Sequence, residues 1–569
     1  MQVNHREPVS KITYRTSLIC TKSYSYLFKV NEFIAAAVLL LLTKQSVDLD
    51  MLHLFLLLSV LSVAWAQLHV YGPVPGLEPS PFYRLQVREA SEDTWTQAFT
   101  LVTECTGENF CNTTGIYNHL ANWSNSYINF EMEAGVEVEV RITKLWGEAI
   151  TKAVVHPAGA ASRCEIIDGE AIVTVSKTAL FAVDINGQMD DQDTGKLPNA
   201  RGYYEGPPIH TLTIFANPPL NKPSLDDEGV YPVAPGETPP EEGSWHTLYF
   251  LPGLHDIGHS FTVHQDKSYY IPGDAVVYGT MNNAEWFGGR NVTIFGHGTL
   301  SGDKLPHPSM SDLPDGQDWR HSPIHIEGAD YTTIEGITIA NSAMHSVIMY
   351  GGYEPEKLTT VRWVKIFTWR PNGDGINPFE NNLVEDCFIR TQDDSTYVNG
   401  PGIRRVVYWQ DCNGSTFVLS PLGGDKFNSQ GPHIVEDCTV IYSRATWHHW
   451  SGASLFNMRG QGEGEGGYTV TFRNIVVEDP RPTLQHFKIL MEGVEPWSNP
   501  AERKRGPGDL WGISFENITI KSVSVLGEPE VLWGMEDGLI RGLQFRNVTI
   551  GGEKVEGVEF FQRNEFVFN

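Results

Sequence analysis

Two textures of apolar and polar positions divide the chain downstream of residue 66. Over 67–220 the apolar residues alternate with polar ones, as in "FEMEAGVEVEVRITKL" at 130–145 and "EAIVTVSKTALFAVDI" at 170–185. Side chains of a strand point alternately to its two faces, so these runs predict half-buried strands of an antiparallel β-sandwich. Further along, one phrase recurs: "TTIEGITI" at 332, "TVRWVKIF" at 360, "NLVEDCFI" at 382, "VVYWQDCN" at 406, "HIVEDCTV" at 433, "VTFRNIVV" at 470, "GISFENIT" at 512 and "GLQFRNVT" at 542. Aligned on the residue after the turn position, the phrases give Ile337, Val364, Cys387, Cys412, Cys438, Ile475, Ile518 and Val548, the first intervals being 27, 23, 25 and 26 residues. A repeat of this length with no helical period predicts the coils of a parallel β-helix, in which strands stack roughly 4.8 Å apart and one inward position builds an apolar ladder. Cys387, Cys412 and Cys438 are then neighbouring rungs, small buried hydrophobes rather than metal ligands, since no CxxC or histidine partner accompanies them.

A fainter copy, "NVTIFGHGTLSG" at 291–302, moves the start of the solenoid upstream and puts His297 on a ladder position, where it reads as structural. The stretch between the textures, "NPPLNKPSLDDEGVYPVAPGETPPEEGSW" at 217–245, is dense in proline and acid and suits an extended linker. The expected fold class is all-β: a sandwich over 67–220, a linker over 221–245 and a parallel β-helix over 246–569. Residues 1–66 read as a leader. "MLHLFLLLSVLSVAWA" at 51–66 has a short apolar core ending in a small-x-small site, Ala64-Trp65-Ala66, the pattern of a secretory signal peptide. Met51 is then the expected start, residues 1–50 a gene-model extension and Gln67 the first mature residue. The apolar run Phe33–Leu42 is too short to cross a bilayer, and Leu52–Trp65 is marginal.

Composition narrows the partners. A formal charge of −28 and a pI near 5.0 repel nucleic acid and anionic membranes, and a neutral substrate fits better than an acidic one. Of seven cysteines, Cys20 falls in the leader, leaving six. An even count suits export with disulfides: Cys105 and Cys111 could bridge locally or either could reach Cys164, and the sequence does not choose. Six acceptor sequons for glycans, at Asn112, Asn122, Asn291, Asn413, Asn517 and Asn547, point the same way. No cofactor is called for, and a secreted, extracellular monomer is expected.

The candidate chemistry sits in "DCFIRTQDDSTYVN" at 386–399. Adjacent carboxylates repel one another, which makes Asp393 and Asp394 a costly pair unless they are used. In a β-helix one offset in successive coils forms a column. One coil earlier that column holds Asp374, two coils earlier His345, and later coils offer Ser420, Lys426 and "TWHHWSG" at 446–452. Three carboxylates on neighbouring coils, with Trp369, Trp447 and Trp450 close by, are what hydrolysis of a glycosidic bond requires: an acid for the leaving oxygen, a base for water and flat faces for sugar rings. Crowding would raise one carboxyl's pKa and make it the acid. His345, Trp369, Lys426, Trp447 and Trp450 are the candidate sugar-binding residues. The alternatives are an Asp-rich cation site, or a carbohydrate-binding β-helix without turnover, which would be expected to have lost one of the acids.

These residues carry a resemblance. "NGDG" at 372–375 and "TQDD" at 391–394 look like the signature shared by polygalacturonase-like and dextranase/isopullulanase-like β-helix hydrolases. The first group's Gly-His-Gly after the Asp pair, and its Arg-x-Lys that grips a uronate carboxylate, are both missing here. "HTLTIFANPP" at 210–219, "LYFLPGLHDIG" at 248–258, "YYIPGDAVVYGTMNN" at 269–283 and "CFIRTQDDSTYVNGPGIRRVVYWQD" at 387–411 are similar in order and spacing to glycoside hydrolase family 49, the dextranases and isopullulanases. The resemblance implies a right-handed β-helix behind the sandwich and hydrolysis of a neutral α-glucan, such as dextran or pullulan, with inversion. It also implies Asp393 as general acid, with Asp374 and Asp394 activating water across a gap of roughly 6.5–9.5 Å.

Overall fold

In the computed structural model each coil of the repeat turns a corner at one residue with a left-handed backbone. That residue is Gly336 (φ 81°), Trp363 (56°), Asp386 (54°), Arg405 (56°), Asp437 (55°), Asn474 (54°), Asn517 (54°) and Asn547 (55°) in successive coils. Glycine takes a positive φ at no cost, and Asn and Asp take it more readily than other residues because their short polar side chains bond locally. Here they bond between coils: the amide Nδ2 of Asn474 donates to Asp437 (2.9 Å), that of Asn517 to Asn474 (3.1 Å) and that of Asn547 to Asn517 (2.9 Å). The structure describes residues 67–104, 123–190, 208–283, 289–305, 321–351, 357–370, 372–378, 382–398, 401–411, 414–419, 433–444, 453–460, 470–491, 510–525, 527–536 and 538–569.

The coil carrying the Asp pair shows the plan. Its strands Asn382–Glu385, Phe388–Thr391 and Thr396–Tyr397 pair in parallel with Thr359–Arg362, Lys365–Phe367 and Ile376–Pro378 of the coil before. They pair likewise with Gly402–Arg404, Val407–Gln410 and Phe417–Leu419 of the coil after. Stacking of this kind makes one 30-stranded sheet beginning at Val230–Val233, a parallel β-helix. That first strand pairs with Thr247–Phe250 and so lies inside the stretch expected to be linker. Ile334, Val361, Val384, Ile403, Val435, Phe472 and Phe515 stack through the interior. The Phe472, Phe515 and Phe545 rings continue it with centroids 5.3 Å apart.

The register corrects one rung. Phe388 pairs with Val407, and Val407 with Thr439, so the rung between Cys387 and Cys438 is Val406, 19 residues after the first and 32 before the second. The sequence points to Cys412 because Asp411-Cys412 imitates Asp386-Cys387 and Asp437-Cys438. The true corner is Arg405, a residue type that does not announce a left-handed turn. Cys387 and Cys438 are buried free thiols, and Cys164 is also free. Among the described residues there is no disulfide; Cys105, Cys111 and Cys412 lie outside them.

Upstream, strands Thr96–Ala98, Tyr83–Glu89, Val138–Lys144, Glu170–Val175 and Arg163–Ile167 form a five-stranded antiparallel sheet, which packs on a six-stranded one. The second sheet departs from the expected antiparallel order, for Thr211–Asn217 runs parallel to Ser124–Met132. Both of these strands are buried at every position. One of their faces enters the sandwich core through Ile128, Phe130 and Ile214. The other packs Tyr127 and Phe215 on Phe367, Phe388 and Trp409 of the β-helix. Burial on both faces removes the alternation that marks a half-buried strand. Residues 67–569 thus form one compact unit. At the junction Arg390, without exposure, lies 4.7 and 4.3 Å from the Trp369 and Trp409 rings. It donates to Asp411 (2.7 Å) and to Thr211 of the sandwich (2.5 Å), so a buried charge is paired and enclosed.

Candidate active site

After Phe388–Thr391 the chain bends through Gln392–Ser395 before its third strand begins. Ile376 pairs with Thr396, which sets Asp374 beside Asp394 one coil away; the Gly375 amide donates to the Asp394 carbonyl at 2.9 Å. The same column runs back to His345, since Val347 pairs with Ile376, and forward to Ser415, since Thr396 pairs with Phe417. His345, Asp374 and Asp394 therefore lie in one column. Ser415 takes the place given to Ser420, a consequence of the same misplaced rung.

The bend is tied down by hydrogen bonds. Asp393 accepts from the backbone N–H of Asn372 (3.0 Å) and of Asp394 (2.9 Å), and Asp394 Oδ1 accepts from the Ser415 N–H (2.7 Å). Gln410 Nε2 donates to the Asp393 carbonyl (3.0 Å) while its Oε1 accepts from Ser395 (2.5 Å). Gly414, at φ 76°, lies so close that a Cβ there would stand 2.3 Å from the Asp394 nitrogen, so glycine is required on both counts. Facing oxygens of Asp374, Asp393 and Asp394 all lie within 4.8 Å of one another. This is tighter than the gap expected for an acid and base separated by a sugar and a water. Tyr397, which sequence reasoning passed over although it stands three residues after Asp394, donates its hydroxyl toward Asp374 Oδ2 (2.6 Å) and Asp394 Oδ2 (3.1 Å). Its ring lies parallel to that of His345, 6.2 Å away, and His345 Nε2 is 3.6 Å from Asp374 Oδ2.

Burial sets the electrostatics. Loss of solvent, and then the neighbouring carboxylates, push the pKa of both Asp374 and Asp393 well above the ordinary range. The Tyr397 hydrogen bond pulls Asp374 partly back, because a donor favours the ionised form. Burial and the aspartates likewise push the Tyr397 phenol far up, leaving it a neutral donor. The three facing oxygens are also spaced for one hard cation, a role that would require all three carboxyls to ionise against one another.

The remaining candidates separate. Trp369 is corrected: it is 0% exposed and its indole donates to Thr103 of the sandwich (2.9 Å), so it has no open ring face to offer. Nearness in sequence to the aspartates misleads here, for only two residues after Lys365–Phe367 the chain still belongs to the buried junction. Lys426, Trp447 and Trp450 lie outside the described residues, as do Asn112, Asn122 and Asn413. Asn291, Asn517 and Asn547 are exposed corner residues with positive φ. His297 is buried, with ring nitrogens 3.3 Å from the carbonyls of Gly336 and Pro218.

No family model matches the chain. It is 25% identical over 407 residues to a dextranase of Talaromyces minioluteus, an alignment covering 63% of this chain and 60% of that protein's length. Among solved structures it superposes on Dex49A from Penicillium minioluteum with a TM-score of 0.63 and 16% identity, covering 86% of this chain and 92% of the other. The second likeness shows a shared fold. The first joins the motif resemblance to a curated relative.

Proposed function

We propose that the chain, similar to a dextranase over three fifths of that enzyme's length, is a secreted glycoside hydrolase that cleaves a neutral polysaccharide, an α-glucan such as dextran. The observation that carries the reading is the trio Asp374, Asp393 and Asp394, brought from two neighbouring coils to within 4.8 Å, with two of its members held protonated to higher pH. Asp393 is pressed by both other carboxylates and gives its proton to the glycosidic oxygen as the bond to the anomeric carbon breaks. Asp374 and Asp394 hold the water that attacks that carbon and take its proton. Oxygens this close let one water bridge Asp374 and Asp394; inversion itself rests on the family resemblance, because the trio is tighter than the usual gap between an inverting acid and base. The step needs no cofactor. His345 borders the trio as a sugar-binding residue, and exposed Asn291, Asn517 and Asn547 are positions for glycans.

The test is a panel of purified neutral and acidic polysaccharides in chelator-treated buffer, with products sized and the anomer of the first product read by NMR. Hydrolysis of an α-glucan with inverted configuration is expected. Asp393→Asn should lower turnover by roughly 10²–10⁴, the worth of a positioned acid, while glucan binding persists. Cleavage of none of the panel, or unchanged turnover in Asp393→Asn, would sink the reading. A retained configuration would reassign one carboxylate as nucleophile.

A further inference from the structure

Resting on that reading of the trio, we infer that Tyr397 is a positioning residue that decides which carboxylate is the base, by donating its one proton to Asp374 Oδ2 and so turning Asp374 Oδ1 toward the water. The hydroxyl lies 2.6 Å from Asp374 Oδ2 and 3.1 Å from Asp394 Oδ2. A phenol has one proton, so it serves one of these oxygens at a time, and the shorter contact marks Asp374. The other oxygen of that carboxyl, Asp374 Oδ1, is buried and accepts no hydrogen bond from any other described residue. An orphaned buried acceptor is costly. Here it is a carboxylate oxygen at the centre of the trio, which is where an attacking water must be held. Asp394 differs: its Oδ1 is already occupied by the Ser415 N–H, leaving it less lone-pair capacity for a base's work.

The ring is fixed independently of its hydroxyl. Tyr397 is 5% exposed, lies in strand Thr396–Tyr397 between two hydrogen-bonded coils, and faces the His345 ring in parallel. Tyr397→Phe therefore removes the proton and leaves the packing. Because the donor favours ionised Asp374, its loss raises the pH at which Asp374 gives up its proton. Activity that depends on ionised Asp374 is then lost at a higher pH as the solution is acidified.

The experiment is Tyr397→Phe beside Asp393→Asn in the full chain, with kcat and KM on an α-glucan measured from pH 4 to 9. Expected for Tyr397→Phe are a fall in kcat of about 10- to 100-fold, the worth of one hydrogen bond to a charged group, KM changed little, and an acid limb moved upward by about one pH unit or more. An unmoved limb with unchanged kcat overturns the inference. So does a loss of activity that follows a lowered melting temperature without a shift of the limb, which would make Tyr397 merely structural. If Asp393→Asn leaves turnover intact, the reading of the trio fails and the inference falls with it; impaired Asp393→Asn beside an unmoved limb in Tyr397→Phe overturns the inference alone.

Discussion

At the scale of single residues, crowding at Asp374 and Asp393 has a thermodynamic consequence that can be signed. A carboxyl whose folded pKa lies above its unfolded value binds more proton in the folded state, so stability falls as pH rises past the unfolded pKa near 4. Asp374→Asn, which removes one charge from the cluster, should therefore raise the melting temperature at pH 7 to 8 while abolishing most activity. The gain should shrink as pH falls and vanish below the unfolded pKa near 4, where wild-type Asp374 is protonated in both states. Thermal scans across that range check it; a variant less stable at pH 8 than wild type would show that Asp374 is held by more than it repels. The pair in "TQDD" and the Asp of "NGDG" were legible because two like charges in sequence and one at coil spacing have few structural uses. Tyr397 was not, since a phenol reveals nothing until its hydroxyl is seen between two carboxylates.

At the scale of the element, the corner residue decides register. Asn474 combines a positive φ with a side chain bonded to Asp437 below and Asn517 above. Asn474→Ala loses both bonds and the residue type that accepts the backbone, and should destabilise by about 1–2 kcal/mol. Asn474→Gly restores the backbone alone and should recover part of that loss. Denaturant melts of the two variants separate the contributions, and equal losses would show that φ is not at issue. The same corner explains what the sequence showed and hid. Asn, Asp and Gly at this position made six coils readable, whereas Arg405 concealed one and let Asp411-Cys412 pass for it. Trp363 shows that an unfavoured residue can occupy the corner when the coils on either side impose the conformation. Tertiary context overrode local preference, and the offset of every column counted from Cys412 moved with it.

At the scale of the whole molecule, the sandwich is a lid on one face of the solenoid. Phe367, Phe388, Trp409 and Tyr442 share a core with Tyr127, Leu180 and Phe215, and Arg390 needs Thr211 as well as Asp411. Residues 230–569 expressed without the sandwich should be insoluble or aggregate, since a contiguous aromatic face would meet water. Recovery of a soluble monomer with wild-type melting would show the two parts to be independent. The sequence distinguished both textures but not their union, because strands buried on both faces carry no alternation to read. The parallel ladder gives this molecule a mechanical grain. Its inter-coil hydrogen bonds lie along the solenoid axis, each coil holding only its neighbours. A pull along that axis loads the bonds of one coil boundary after another, so rungs part singly and at low force. A pull along the strands shears many bonds together and meets far greater resistance. A molecule built this way would therefore be tough across its coils and weakest at its ends.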